Sequence, residues 1–280
     1  MSPHNASPSL PIVAFIGGGN MARSLIGGLL QAGASPAQVR VAEPVPALRE
    51  ALASDFGVQV FPDAATAATG ADVWVLAVKP QVMRDVCATL APIAQGQQPL
   101  AVSIAAGITS AQIDHWLGGG IAVVRCMPNT PALLGAGVTG LYANAAVNPA
   151  QRDIAQTLLS SAGETVWIDD EALMDAVTAV SGSGPAYVFL LAEALQAAGE
   201  AQGLSPAAAR TLTIETLLGA SRMLAADDTP AAELRRRVTS PNGTTQAAIE
   251  SFERDGFRDI VARAVHAARV RGAELAAAND

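Results

Sequence analysis

Over the first 168 residues of this 280-residue chain, short apolar runs rich in Val, Ile and Leu alternate with amphipathic stretches. After Asp169 the runs stop. This change of period constrains the fold more than any other feature. Strands are expected at 12–16, 39–42, 58–60, 73–78, 100–104 and 121–126, and helices near 21–32, 47–55, 80–91 and 110–117. Continuous apolar strands separated by amphipathic helices specify a parallel sheet covered on both faces. A further pair of strands, 138–142 and 165–168, flanks a helix at 149–161 and is expected to extend that sheet. The remainder reads as helix after helix, broken by Gly and Pro at Ser181–Pro185, Gly203–Pro206, Thr229–Pro230 and Ser240–Gly243. The reading is therefore α/β over residues 11–168, followed by an all-α region over 169–280. The first ten residues, MSPHNASPSL, lack a basic start and an apolar stretch, and read as a short mobile tail.

One stretch of the helical region sets a packing problem. From Pro185 to Ala201 the only polar side chains beyond Tyr187 are Glu193, Gln196 and Glu200. A helix apolar around most of its circumference must be covered on most sides. A small helical domain can hardly do this alone, so the expectation is a homodimer in which a second subunit supplies the cover. The alternative is a central helix wrapped by its own domain.

The loop Gly17-Gly-Gly19-Asn-Met-Ala22 follows the first strand and opens a helix, matching G-x-G-x-x-A. Gly17 permits the tight turn, Gly19 lets a pyrophosphate approach backbone N–H groups, and Ala22 lets helix pack closely on strand. The match is weak alone, but strand before, helix after and alternating context agree, so residues 11–168 read as a Rossmann dinucleotide-binding domain. Glu43 ends the second strand, where an acidic residue accepts from the adenosine ribose 2′-OH of NAD. It would repel a 2′-phosphate, although Arg40 and Arg49 nearby could offset that. On residues alone the cofactor leans toward NADH.

The chain holds a single lysine, Lys79, against sixteen arginines. It ends an apolar run, Asp72-Val-Trp-Val-Leu-Ala-Val-Lys-Pro80, at the carboxyl edge of the expected sheet, where such folds bind ligands. Chance and function are even on this ground alone. A formal charge of −8 argues against nucleic acid, which needs clustered basic residues. The run Arg235-Arg236-Arg237 reads as a solvated helix face. No apolar stretch approaches a membrane span. Cys87 and Cys126 give neither metal spacing nor a disulfide framework, which suits a cytoplasmic location. His4, His115 and His266 are scattered, and no metal site is expected.

Taken together, FIGGGNMA (15–22), LAVKPQ (76–81), SIAAGI (103–108), RCMPNTPA (125–132), AVSGSGPAYVF (179–189) and SPNGTTQAAI (240–249) resemble pyrroline-5-carboxylate reductase, in order, from about residue 11 to 275. The resemblance implies a Rossmann domain, a helical dimerisation domain over 169–280, and reduction of L-1-pyrroline-5-carboxylate to L-proline. It also implies NADPH as the reductant, with NADH possible; Glu43 pulls the other way, since many members carry a small hydroxylic residue there. A second departure is Asn242, where the family often has Gly; Asn tolerates left-handed backbone, so the turn should survive.

Such a reaction needs no nucleophile or metal, only a held carboxylate, an oriented ring and a hydrogen bond at the ring nitrogen. A Gly-containing turn feeding a helix offers free N–H groups to an anion. By resemblance, Ser240, Gly243 and Thr244 bind the carboxylate and Thr245 places its hydroxyl at the ring nitrogen; from spacing alone, ordinary N-capping by Ser or Thr is the competing reading. Ser183, in Ser181-Gly-Ser-Gly-Pro185, is counted with the substrate residues, against a reading of that segment as tight packing. Ile16, Gly17, Gly18, Gly19, Asn20, Met21, Glu43, Ala77, Val78, Lys79, Pro80 and Asn129 are expected at the cofactor. Glu164, Asp175 and Glu193 are candidate proton donors that spacing does not separate. A β-hydroxyacid dehydrogenase would need a lysine in the second domain, and none follows Lys79. A non-catalytic dinucleotide sensor would leave SPNGTT without a role.

Overall fold

A computed structural model describes residues 11–277; the N-terminal tail and His4 lie outside the described residues. Eight strands form one sheet: β1 (Val13–Ile16), β2 (Val39–Ala42), β3 (Gln59–Phe61), β4 (Val73–Leu76), β5 (Leu100–Ser103), β6 (Ala122–Met127), β7 (Gly137–Ala143) and β8 (Gly163–Trp167), in the order β3-β2-β1-β4-β5-β6-β7-β8. The first six are parallel. β7 and β8 extend the sheet as expected, but β7 pairs antiparallel with β6, and β8 runs parallel to β7, so the direction reverses there. The reason is the connection. Parallel neighbours need a crossover, usually a helix, whereas residues 128–136 supply only a short 3₁₀ turn, which returns the chain antiparallel.

The helices of this region are α1 (Asn20–Gln31), α2 (Pro46–Phe56), α3 (Ala64–Ala68), α4 (Pro80–Gln97), α5 (Ser110–Trp116) and α6 (Pro149–Ser160). The period-2 alternation of strand side chains divides the core between two faces. On one, Phe15, Val41, Val75, Val102 and Val124 meet Leu25, Ile26 and Leu29 of α1 and Leu158 of α6. On the other, Ile16, Trp74, Leu76 and Val123 meet Met83, Cys87 and Leu90 of α4 and Ile113 of α5. α4 outruns its expected end by passing through Pro92. Proline costs one intrahelical bond, but Pro92 sits on the exposed side while Cys87, Leu90 and Ala94 keep the opposite face buried. α3 was not foreseen, because an Ala-rich pentapeptide has no readable period; Asp63 caps it by accepting from Thr66 N–H at 2.8 Å.

After β8 the chain forms a short 3₁₀ turn, α7 (Met174–Val177) and a π-turn at Thr178–Gly182, then α8 (Gly184–Ala201), α9 (Pro206–Ala226), α10 (Ala231–Arg237), α11 (Thr244–Arg254) and α12 (Phe257–Ala277). Packing divides the molecule into two compact units: residues through Ser183 with those from Ala268 onward, and Gly184–Ala267. In the second unit α8 packs on α9, yet no residue of α8 is buried, and Phe189 and Leu190 are 67% and 66% exposed. The helix is not wrapped by its own domain. Arg236 and Arg237 pair with Glu233, and Arg235 with Glu253, as a solvated basic face should. Among the described residues no helix is long and apolar enough to cross a membrane.

Candidate active site

The carboxyl ends of β1, β2, β4 and β6 carry the residues expected at the cofactor. β1 and β4 finish in register, Ile16 beside Leu76, and Ala77 N–H donates to the Ile16 carbonyl at 2.9 Å. The chain then turns at Gly17, whose φ is +106°; a β-carbon there would lie 2.7 Å from the Ala77 carbonyl oxygen, so only glycine fits. Gly19 is the N-cap of α1, with extended backbone and no capping side chain, and no acidic residue occupies the first turn. A β-carbon on Gly19 would meet nothing within 4 Å among the described residues. An uncapped helix start with open space before it suits a pyrophosphate. Asn20 and Met21 form that first turn, and Ala22 is buried beneath it.

Ala77 and Val78 line the same edge. Lys79 is exposed at the N-cap of α4, with Pro80 as the first helical residue and no side-chain cap. Glu43 follows β2 and is only 7% exposed. Its Oε2 accepts from Gly18 N–H at 3.2 Å and its Oε1 from Val45 N–H at 3.0 Å, so the carboxylate ties the glycine loop to the start of α2. Of the two nearby arginines, Arg49 donates one Nη to the carbonyl of Glu43 itself at 2.8 Å, and Arg40 donates to the Thr69 carbonyl at 2.6 Å. Asn129 is buried at the N-cap of the 3₁₀ turn after β6.

The residues expected at the substrate carboxylate gather at the start of α11, in the other compact unit. Asn242 adopts φ 61°, which confirms that this Asn keeps the left-handed turn. Gly243 N–H donates to the Ser240 carbonyl at 3.1 Å, and Gly243 is the N-cap, with no capping side chain. Ordinary capping by Ser or Thr therefore does not account for this motif. The Gln246 side chain instead accepts from Asn242 N–H at 2.7 Å. Ser240, Thr244 and Thr245 are exposed around this helix start, which presents N–H groups and a positive dipole end. Ser183 lies directly after the π-turn, in the first unit.

Of the three candidate proton donors, Glu164 and Glu193 are exposed, while Asp175 faces Arg125 at 3.6 Å. Sequence reasoning missed the network to which that pair belongs. Arg125 lies within β6, nearly buried, and also reaches Glu171 at 3.3 Å. Glu171 accepts from the N–H and hydroxyl of Ser110 at 2.7 and 2.6 Å, at the start of α5. The one available signal was an arginine inside an otherwise apolar strand. Both cysteines are free and buried, and burial pushes the Cys87 thiol up to about 12 and that of Cys126 higher, so neither is a nucleophile.

A curated pyrroline-5-carboxylate reductase from Pseudomonas aeruginosa is 55% identical over 268 residues, covering 96% of this chain and 98% of that protein. This chain belongs to the pyrroline-5-carboxylate reductase family. The family's dimerisation profile, described as "Pyrroline-5-carboxylate reductase dimerisation", matches residues 171–275, and a profile described as "NADP oxidoreductase coenzyme F420-dependent" matches 12–107. Among solved structures, a pyrroline-5-carboxylate reductase from Coxiella burnetii is 40% identical, with TM-score 0.92 over 95% of this chain and 98% of that one. The Plasmodium falciparum pyrroline carboxylate reductase, solved with NADP bound, is 28% identical with TM-score 0.84 over 96% and 100%. The family fold is thus shared along the whole length, and the resemblance read from six motifs stands.

Proposed function

We propose that the chain reduces L-1-pyrroline-5-carboxylate to L-proline with NAD(P)H, the final step of proline biosynthesis, as a cytoplasmic homodimer. The observation that carries this reading is the uncapped start of α11 at Gly243, within a chain 55% identical to a curated reductase over nearly all its length. Residues 11–168 act as the Rossmann domain and 169–280 as the helical dimerisation and substrate domain. The exposed apolar residues of α8, Val188, Phe189, Leu190, Leu191 and Leu195, support a second copy as the missing cover.

A dihydronicotinamide held at the glycine loop would supply the hydride that C5 of the imine accepts. Gly17, Gly18 and Gly19 with Asn20 and Met21 cradle the pyrophosphate, flanked by Ile16, Ala77, Val78 and Pro80, and Lys79 contributes a charge contact. Ser240, Gly243 and Thr244 hold the substrate carboxylate, and Ser183 is a further substrate residue. Thr245 hydrogen-bonds the ring nitrogen, which favours the protonated, more electrophilic imine and keeps the new amine in place. Purified protein given pyrroline-5-carboxylate is expected to oxidise NADPH and form proline; no turnover with either nucleotide would sink the reading. Thr245→Ala should lower kcat by on the order of 10²-fold. Cofactor affinity should survive, and because Thr245 is exposed the fold should lose less than about 0.5 kcal/mol.

Glu43 governs the balance between cofactors. Two backbone N–H groups hold the Glu43 carboxylate beside the glycine loop, where its charge would oppose an adenosine 2′-phosphate. Glu43→Ser should raise kcat/KM for NADPH relative to NADH by about tenfold, equivalent to about 1.4 kcal/mol. An unchanged ratio would remove Glu43 from cofactor selection.

A further inference from the structure

Asn129 joins two main-chain groups that are distant in sequence. Its Oδ1 accepts from Val138 N–H at 3.0 Å, and its Nδ2 donates to the Ser181 carbonyl at 3.1 Å. One partner can only donate and the other only accept, so the place requires an amide; an aspartate would set oxygen against the Ser181 carbonyl. The need for a donor at Ser181 is written in the sequence. Where the chain passes from the π-turn into the α-helix that begins at Gly184, the α-helical partner of the Ser181 carbonyl would be the N–H of residue 185, and Pro185 has none.

The backbone around that carbonyl forms the π-turn Thr178–Gly182, with Ser183 N–H donating to the Thr178 carbonyl at 2.8 Å. Isolated π-turns are frequent at functional segments. Close approach to the sheet depends on two glycines. A β-carbon on Gly182 would lie 2.7 Å from Met127 Cε, and one on Gly140 would lie 2.6 Å from Val177 Cγ1. The Ser181 and Thr178 hydroxyls fold back onto the carbonyls of Val177 and Met174 at 2.9 and 3.0 Å. The cross-link from Asn129 adds a side-chain hydrogen bond to the packing that ties the turn to the strand side.

We propose that Asn129 is a positioning residue rather than a cofactor contact. It stands in for the N–H that Pro185 lacks, and so holds the π-turn, and Ser183 after it, where the imino acid needs them. This rests on the reductase reading above.

The test compares Asn129→Ala, Asn129→Asp, Pro185→Ala and the double variant Asn129→Ala/Pro185→Ala. Three quantities are measured: Tm, Kd for NADPH by tryptophan fluorescence quenching, and steady-state kinetics with varied pyrroline-5-carboxylate. Asn129→Ala should raise KM for the imino acid by about tenfold while Kd for NADPH stays within about twofold, and Asn129→Asp should be worse than Asn129→Ala. In the double variant, residue 185 brings an N–H to the Ser181 carbonyl. Tm and kcat/KM should then recover partway, the remainder belonging to Val138. A loss of NADPH affinity as large as the loss of kcat/KM would overturn the proposal by making Asn129 a cofactor contact. A double variant no better than Asn129→Ala would also overturn it. If the wild type turned over no pyrroline-5-carboxylate, the reductase reading would fail, while the Tm comparison would still decide the link between Asn129 and Pro185.

Discussion

Gly17→Ala is expected to abolish tight cofactor binding and to destabilise the fold. The φ of +106° lies where an L side chain is strained, at a cost of roughly 1–2 kcal/mol. The β-carbon would also sit 2.7 Å from the Ala77 carbonyl oxygen and 2.9 Å from its carbon, both main chain. Forcing apart two paired strand ends adds about 1–3 kcal/mol, as overpacking does elsewhere. The same shift displaces Gly19 and the uncapped start of α1 that follows it, so the pyrophosphate loses N–H donors at the helix start. Titration of nucleotide fluorescence and urea unfolding would report both effects. Retention of wild-type Kd for NADPH together with an unchanged unfolding midpoint would show that the turn is not rigid.

Arg125→Met should cost about 3 kcal/mol, near the lower bound for breaking a buried ion pair by removing one partner. The guanidinium is 6% exposed and lies between Glu171 and Asp175, whose side chains are each 21% exposed. Its loss leaves two carboxylates close together and mostly out of water. Ser110 still binds Glu171, which keeps the effect from the top of the range. Adding Glu171→Gln and Asp175→Asn to Arg125→Met should regain most of the stability, because neutral amides carry no uncompensated charge. Urea denaturation of the three proteins decides it: a triple variant as unstable as the single one would show that geometry, not charge, is the cause.

Legibility in the sequence tracked how local each feature is. The strands of the sheet fell within a residue or two of their expected positions, because unbroken Val/Ile/Leu runs have one stable home in a covered sheet. Gly17 and Gly19 behave as the glycine motif requires, and Asn242 keeps the left-handed turn that its chemistry permits. The antiparallel return at β7 was not legible: an apolar run looks the same in either direction, and the direction depends on what the connection can span. The persistence of α4 through Pro92 was likewise hidden, since the buried face that carries it becomes visible only when the sheet is in place.

Chain pattern alone therefore established the nucleotide-binding architecture, the change to helices after the sheet and the Gly-containing turn before α11, while the order of six motifs gave the family. The first three rest on backbone geometry and hydrophobic period, which neighbours along the chain dictate. Folding assigned the partners. It placed Arg125 against carboxylates 46 and 50 residues away, bound Glu43 to Gly18, set Asn129 beneath a carbonyl that Pro185 orphans, and left the apolar face of α8 open. Charge pairs and shared hydrogen bonds join residues whose separation carries no periodic signal, so they exist only once distant segments meet in space.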